Sequence, residues 1–239
     1  MKKLRRRRLI TVIVSLVIFG AVIAGSPDLW QQAPIEPAGI QGVQTTTDNA
    51  THILETLEVK GRAPKTGYAR TQFGNGWSNN SGCDTRNTIL YRDMTNAVTD
   101  ENCRVVSGVL HDPYTDTVIE FVRGPQTSQS VQIDHVVALS NAWQTGAQGL
   151  TDIQRVALAN DPLNLLAVDG AANQQKSDSD AASWLPSNKS FRCQYVARQI
   201  VVKKKYTLWV TPAEKEAILR VLRACPNQTS PIDHVDMIQ

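Results

Sequence analysis

Two adjacent ionisable residues, Asp134 and His135, end a short apolar run that starts at Val131. Ionisable groups at the end of a buried strand are costly unless they are hydrogen-bonded or have a chemical role. A neutral imidazole accepts a proton near neutral pH, so we expect His135 to act as a general base. Of the other three histidines, His52 lies near the predicted linker, His111 in a predicted turn and His234 in the tail.

Two segments further along the chain carry amides and a lysine. Asn164 follows an Asp-Pro pair at residues 161–162, and Asn173 and Lys176 are three residues apart. Residues at this spacing lie on the same face of a helix. The sequence lacks the motifs of several other enzyme classes: a nucleophile elbow, a P-loop, a zincin helix and a dinucleotide-binding glycine fingerprint.

In this order and spacing, residues 133–139, 160–168 and 173–178 resemble the HNH endonucleases, which are built on a ββα-metal motif. The sequence is most similar to the branch with asparagine in the last position, which includes the C-terminal domain of GmrSD-type restriction enzymes. Three flanking segments look like those of exported actinobacterial-type members: residues 83–87, 112–115 and 184–186. The resemblance implies metal-dependent hydrolysis of phosphodiester bonds in nucleic acid, with DNA as the expected substrate.

Phosphodiester hydrolysis requires an activated water and neutralisation of charge on the phosphate. We expect Asp134 and the side-chain oxygen of Asn173 to bind one divalent cation, Mg²⁺ or alternatively Mn²⁺, because these ions prefer oxygen ligands. Lys176 would approach the phosphate, and Asn164 would hold the loop that orients the turn at Asp134 and His135. Asn173 replaces the histidine that is more common in the family, and zinc or nickel would favour imidazole more than magnesium does.

Each assignment has a structural alternative. Asp134 is also compatible with a helix cap or a surface acid, Asn173 with an N-cap, and Lys176 with a solvated helix face. For the whole protein, the alternative is a catalytically inactive exported module that binds nucleic acid or protein on the same fold. A third hypothesis is a metal-dependent hydrolase of another phosphodiester.

The most basic stretch after the N-terminus is residues 189–205, which contain no acidic residue. Cations carry most of the affinity of proteins for nucleic acid, so we expect a phosphate-binding helix here. The alternative is an amphipathic helix with a solvated face, and no base-reading module is recognisable. The expected nucleic-acid contacts are Lys189, Arg192, Arg198, Lys203 and Lys204.

The residue pattern predicts an α+β fold, with a ββα-metal core, an extra β-hairpin and flanking helices. Residues 104–110 and 117–122 are rich in β-formers and flank a turn sequence, which predicts the hairpin. The last helix is predicted to open with a capping box at residues 211–214. The other predicted elements are strands at 131–133 and 163–168, helices at 51–60, 138–149, 151–160 and 171–183, and a pair of helices after Pro186.

The first 24 residues carry six of the 25 lysines and arginines and no acid. The rest has 19 basic and 22 acidic residues, so the net charge of +3 comes from this segment. The six charges precede an uncharged apolar stretch at residues 9–24, which is the layout of a secretory signal. As a helix this stretch spans about 24 Å, less than the roughly 30 Å core of a bilayer, which favours a cleaved signal peptide over a signal anchor. Both alternatives predict export, either as a secreted or as an extracytoplasmic membrane-anchored protein.

Residues 25–66 are predicted to form a flexible linker with a short helix, residues 67–225 the nuclease domain, and residues 226–239 a loosely attached tail. We expect a monomer that contacts the membrane only through an uncleaved N-terminal segment. Four cysteines without Cys-x-x-Cys spacing argue against a cysteine-rich zinc site and fit disulfides in an exported protein. Three pairings are possible. We expect Cys83–Cys103 and Cys193–Cys225, because the second pair meets if the last two helices run antiparallel.

Overall fold

The computed structural model describes residues 48–80, 82–125 and 127–231, which form an α+β fold. The predicted signal segment, residues 25–47 of the predicted linker and residues 232–239 lie outside the described residues. Within the described ranges, no helix has both the length and the apolar character that a membrane span requires. The helices are α1 (Ala50–Glu55), α2 (Thr85–Asp93), α3 (Leu139–Gln144), α4 (Asp152–Ala159), α5 (Gly170–Lys176), α6 (Arg192–Lys205) and α7 (Pro212–Leu222). The strands are β1 (Asn79–Asn80), β2 (Cys83–Asp84), β3 (Met94–Thr99), β4 (Val105–His111), β5 (Val118–Val122), β6 (Val131–His135) and β7 (Leu165–Asp169).

The predicted hairpin is confirmed and has a third strand. β4 pairs antiparallel with β5 on one side and with β3 on the other. The turn after β4 is held by Asp112, whose side chain accepts hydrogen bonds from the backbone N–H groups of Thr115 and Asp169, at 2.8 and 2.9 Å. Phe121 of this sheet packs in one apolar cluster with Ile133 of β6. The hairpin therefore supports both strands of the candidate site.

β6 and β7 form a two-stranded antiparallel sheet that leads directly into α5. Asp134 and His135 are the last two residues of β6. Asp169 ends β7 and caps α5, because its side chain accepts a hydrogen bond from the N–H of Ala172 at 2.7 Å. The cap at Asp169 thus starts α5 directly after β7. Because β7 pairs with β6, α5 begins close to the sheet that carries Asp134 and His135.

α5 is shorter than the predicted helix at residues 171–183. It begins at Gly170, where a Cβ atom would lie 2.1 Å from the carbonyl oxygen of Gln129. It ends at Lys176, because Ser177 adopts a φ of 51°. A residue with a positive φ cannot continue a right-handed helix, so the prediction is wrong beyond Lys176.

α2 is not predicted from the sequence. This helix supports β7, the second strand of the sheet that carries the candidate site. Arg92 of α2 donates hydrogen bonds to the carbonyls of Leu165 at 2.7 Å and Pro162 at 2.9 Å. The neighbouring Asp93 accepts from the N–H of Ala167 at 2.8 Å. These contacts hold β7 in register from its free edge.

The folded part starts earlier and ends later than predicted. Ala50 and Leu54 of α1 are fully buried in a cluster with residues of α6 and α7. The N–H of Ala50 donates to the carbonyl of Gln228 at 2.9 Å. Residues 48–66 of the predicted linker and residues 226–230 of the predicted tail thus belong to the folded part. The short helix predicted at residues 51–60 is present as α1, which ends at Glu55.

Both predicted disulfides are present. Cys83 and Cys103 have Cα atoms 5.3 Å apart and join the start of α2 to the loop before β4. Cys193 at the start of α6 pairs with Cys225 after α7, with Cα atoms 6.4 Å apart. By loop-closure entropy, a crosslink over loops of this size contributes about 3 kcal/mol to the free energy of unfolding.

Candidate active site

An open cavity of about 570 Å³ lies at the ends of β6 and α5. Three of the residues predicted to act in chemistry line it, namely Asp134, His135 and Asn173. Asn164 and Lys176 are fully buried and are not among its lining residues. The other lining residues are Lys65, Tyr68, Arg70, Gln132, Ile133, Ala138, Leu139, Ser140, Gln174, Ser177 and Asp178.

Asp134 is 4% exposed, and both of its carboxylate oxygens accept hydrogen bonds. The hydroxyl of Tyr114 donates to Oδ2 at 2.5 Å, and Nζ of Lys176 donates to Oδ1 at 3.0 Å. Burial raises the pKa of Asp134, and the ammonium of Lys176 opposes this increase. Tyr114 is not among the predicted site residues, and the similarity of residues 112–115 to the family is the sequence signal that points to it.

Lys176 lies behind the cavity, because its ammonium is held by two buried acceptors. Its side chain is 0% exposed, and Nζ donates to Asp134 and, at 2.9 Å, to the backbone carbonyl of His135. The predicted contact of Lys176 with the phosphate is therefore wrong. Its observed contacts make it a positioning residue for the end of β6.

His135 is buried, and two contacts orient its ring. Its ring stacks on that of Trp77, with centroids 5.7 Å apart and an interplanar angle of 11°. Nε2 lies 2.9 Å from the carbonyl oxygen of Ala159, so Nε2 carries the proton and Nδ1 of the neutral ring is the proton acceptor. Burial lowers the pKa of His135 to about 3; the bond to Ala159 opposes this, and the charges of Arg70 and Lys176 add to it. The imidazole is therefore neutral at neutral pH.

Asn164 ties the loop after β6 to the loop before β7. Its Oδ1 accepts from the N–H of Val137 at 2.8 Å, and its Nδ2 donates to the carbonyls of Val137 and Leu158, both at 3.3 Å. Its own carbonyl accepts from the N–H of Val136 at 2.8 Å. These bonds match the role predicted for Asn164, which is to hold the loop next to His135.

Asn173 faces the cavity from α5. Its Nδ2 donates to Oε1 of Gln132 at 2.9 Å, which leaves Oδ1 as an acceptor. Each oxygen of Asp134 keeps a lone pair after its one hydrogen bond. Among the described residues, no group of three or more His, Cys, Asp or Glu could hold a metal. Carboxylate and amide oxygens are ligands that a hard divalent ion accepts together with water or phosphate oxygens, and binding of such an ion by Asp134 and Asn173 stays a prediction.

A second wall of the cavity comes from residues 65–70, which the sequence pattern placed at the end of the linker and the start of the domain. Nζ of Lys65 lies 3.0 Å from Oδ2 of Asp178, and the hydroxyl of Ser140 donates to the same oxygen at 2.8 Å. The hydrogen bond from Lys65, followed by that from Ser140, lowers the pKa of Asp178. Lys65 and Arg70 are both exposed cations of this wall, and only Lys65 pairs with a carboxylate among the described residues. No motif in the sequence identifies these residues.

α6 carries most of the predicted nucleic-acid contacts but contributes no residue to the cavity lining. Lys203 is fully buried, and its Nζ pairs with Oε1 of Glu214 at 2.8 Å. The same ammonium donates to the backbone carbonyl of Trp209 at 3.0 Å. The prediction that Lys203 binds nucleic acid is therefore wrong, because a buried and paired cation is not available to a phosphate.

The other predicted cations differ in exposure. Arg192 and Arg198 are half-buried, and each donates to backbone carbonyls, Arg192 to that of Pro186 at 2.7 Å. Lys189 and Lys204 are exposed. Contact of these four residues with nucleic acid stays a prediction.

The sequence model of one protein family, described as GmrSD restriction endonucleases, C-terminal domain, matches residues 84–221, which is more than half of the chain. The chain belongs to this family. A curated relative, an uncharacterized secreted protein of Arthroderma benhamiae, is 39% identical over 211 residues, covering 87% of this chain and 98% of that protein. No solved structure matches the chain significantly.

The match to the GmrSD C-terminal family confirms the family resemblance and associates the chain with nucleases. The actinobacterial-type assignment stays a prediction. Lys65 and Arg70 lie before the matched region, so the second cavity wall is outside it. The matched region includes Tyr114, Asp134, His135, Asn164, Asn173 and Lys176.

Proposed function

We propose that this protein is a secreted, metal-dependent endonuclease that hydrolyses phosphodiester bonds of nucleic acid, with DNA as the expected substrate. β6, β7 and α5 would be the ββα-metal core of an HNH enzyme. Membership of the GmrSD C-terminal family supports nuclease chemistry, and the secreted relative supports export. The observation that carries the proposal is the neutral, oriented imidazole of His135 next to the fixed carboxylate of Asp134 at one cavity wall.

His135 would act as the general base through Nδ1. Its Nε2–H is engaged by Ala159, and stacking on Trp77 keeps the ring in one plane. Nδ1 takes a proton from water, the water oxygen forms a bond to phosphorus, and the bond from phosphorus to the leaving oxygen breaks. A positioned base contributes about 10²- to 10⁴-fold to the rate when its pKa lies near the working pH, so the bound phosphate would have to raise the pKa of His135 from about 3.

Asp134 and Asn173 would hold one divalent ion, Mg²⁺ or Mn²⁺, through a carboxylate and an amide oxygen. When bound, the ion would neutralise negative charge on the phosphate and the leaving oxygen. Tyr114 and Lys176 fix the carboxylate of Asp134, and Gln132 fixes the amide of Asn173. The protein thereby holds both oxygen donors before the substrate arrives.

The test is cleavage of plasmid DNA by the purified protein in Mg²⁺ or Mn²⁺. EDTA and His135→Ala should each abolish cutting, whereas His111→Ala, at an exposed histidine outside the cavity, should not. We expect His135→Ala to cost at least about 10²-fold in rate. Cutting by His135→Ala at the wild-type rate would contradict the assigned base.

The second candidate is a catalytically inactive exported module that binds nucleic acid or protein at the same cavity. The observation that favours it is that Tyr114 and Lys176 already occupy both oxygens of Asp134. Calorimetric titration with Mg²⁺ or Mn²⁺ separates the two candidates. Uptake that Asp134→Asn removes favours the enzyme, and DNA binding without ion uptake or turnover favours the module. Turnover of bis(p-nitrophenyl) phosphate without cutting of DNA or RNA would instead indicate another phosphodiester substrate.

A further inference from the structure

Arg70 lies at the border between the main cavity and a smaller cleft of about 160 Å³. Arg70, His135 and Leu139 line both openings. A polymer that extends from one opening into the other must therefore pass next to Arg70 and His135. The smaller cleft is otherwise lined mainly by apolar and small residues, including Phe73 and Trp77.

The backbone that carries Arg70 is held firmly by the protein core. Arg70 begins a short 3-10 helix that ends at Phe73, and Phe73 is 2% exposed and packs against Trp143. Arg155 of α4 donates from Nε to the carbonyl of Gln72 at 3.0 Å. The exposed guanidinium therefore extends from a fixed backbone, as a substrate-binding group requires.

No acidic side chain within residues 48–80, 82–125 and 127–231 pairs with Arg70. Among the described residues, Arg70 forms no hydrogen bond or ion pair, whereas Lys65 pairs with Asp178 at 3.0 Å and Lys176 is buried against Asp134. Its charge nevertheless acts on the site, because it adds to the effect of burial in lowering the pKa of His135. Arg70 is thus an available cation at the position where the proposed chemistry needs one.

We propose that Arg70 is the phosphate-binding residue of this cavity and that its guanidinium binds a backbone phosphate of the nucleic acid next to His135. The inference rests on the proposed function and identifies the surface that recognises the substrate. A planar guanidinium forms two parallel hydrogen bonds to phosphate oxygens, which a single ammonium does not. Arg70 would thus make the phosphate contact that the sequence led us to expect from Lys176, which is buried. Recognition through a phosphate carries no base information, so binding should show little sequence preference.

The test compares Arg70→Ala with Arg220→Ala, an exposed arginine of α7 that lines neither opening. Both variants lose one positive charge, so a general charge effect is the same in both. Binding of a fluorescent DNA oligonucleotide, single-stranded and duplex, is measured by anisotropy in EDTA at rising salt. We expect Arg70→Ala to bind about 10-fold more weakly and to lower the salt slope by about 0.7 to 0.9, the value for one phosphate contact. Arg70→Lys should restore part of the affinity, and Arg220→Ala should bind like the wild type.

Equal affinities and salt slopes for the two alanine variants would overturn the assignment of Arg70. Wild-type protein that binds neither oligonucleotide would overturn it as well. The plasmid assay keeps this inference apart from the proposed function. If the wild type binds through Arg70 but never cuts, phosphate binding by Arg70 is supported and the proposed nuclease function is contradicted. If the wild type cuts and Arg70→Ala matches Arg220→Ala in binding and in kcat/KM, the nuclease function is supported and phosphate binding by Arg70 is contradicted.

Discussion

Two lysines in the described part of the chain are fully buried, and each pairs with a carboxylate. Nζ of Lys176 lies 3.0 Å from Oδ1 of Asp134, and Nζ of Lys203 lies 2.8 Å from Oε1 of Glu214. All four side chains are at most 5% exposed. In charge, distance and burial, the two pairs are alike.

The pairs differ in their surroundings. Lys203 also donates to the carbonyl of Trp209, and Glu214 also accepts from the N–H of Thr211 at 3.2 Å in the capping box of α7. That pair is enclosed between α6 and α7. Asp134 instead lines an open cavity. Of these two buried ion pairs, only the one with a partner that borders open space can contribute to the candidate site, whereas the other fixes how α6 packs against α7.

Removal of one lysine tests whether the two pairs are equivalent in stability. Lys176→Met and Lys203→Met each leave a buried carboxylate without its cation, so we expect each to lower the free energy of unfolding by about 3–5 kcal/mol. Urea denaturation followed by tryptophan fluorescence measures the loss. Lys204→Met, at the exposed neighbour of Lys203, is the matched control and should leave the stability nearly unchanged. A large loss of stability in one of the two methionine variants and none in the other would show that the two ion pairs are not equivalent.

Replacing both partners of each pair should show that only the Lys176–Asp134 pair is needed for DNA cutting. Lys203→Met combined with Glu214→Gln should regain most of the lost stability, because neutral groups of similar volume often replace a buried pair at little cost. Its DNA cutting per folded molecule should equal that of the wild type. Lys176→Met combined with Asp134→Asn should regain stability in the same way but lower kcat/KM by at least about 100-fold. Loss of a group that only supports a metal ligand already costs about 10- to 100-fold, and this variant also changes the proposed ligand. Undiminished cutting by this second double variant would remove Asp134 from the site.

Local patterns explain what could be predicted from the sequence. The β4–β5 hairpin follows from two β-rich runs around a turn, and α7 follows from its capping box, which the structure contains with Thr211 and Glu214 in their predicted places. The pair Asp134 and His135 is conspicuous because two ionisable residues end an apolar strand. Each of these signals lies within a few residues of the element that it predicts.

The remaining features depend on partners that are distant in the chain. Lys203 and Glu214 are eleven residues apart on different helices, so a basic stretch gives no indication that one of its lysines is buried. Tyr114 reaches Asp134 from a turn 20 residues earlier. Arg70 reaches the cavity only because Phe73 packs into a core formed mainly by later segments. Side-chain pairing across the fold, rather than residue type, decides which cations are available to a substrate.

The smallest predicted effect concerns the second donor to Asp134. Tyr114→Phe removes one hydroxyl while Lys176 still holds Oδ1, so we expect DNA cutting to decrease roughly 10-fold, as for other residues that support a metal ligand. Tyr195→Phe is the matched control, because Tyr195 is equally buried, its ring centroid lies 5.7 Å from that of Tyr114, and its hydroxyl contacts Gln199 instead of Asp134.

Both phenylalanine variants lose one buried hydrogen bond, so each should lower the free energy of unfolding by about 1 kcal/mol, measured in urea. The activity difference between them then reports the bond to Asp134 rather than stability. Equal cutting rates for the two variants would mean that Lys176 alone orients Asp134. The Lys176–Asp134 pair would then need fewer donors than the enclosed pair has, because Glu214 accepts from the N–H of Thr211 as well as from Lys203.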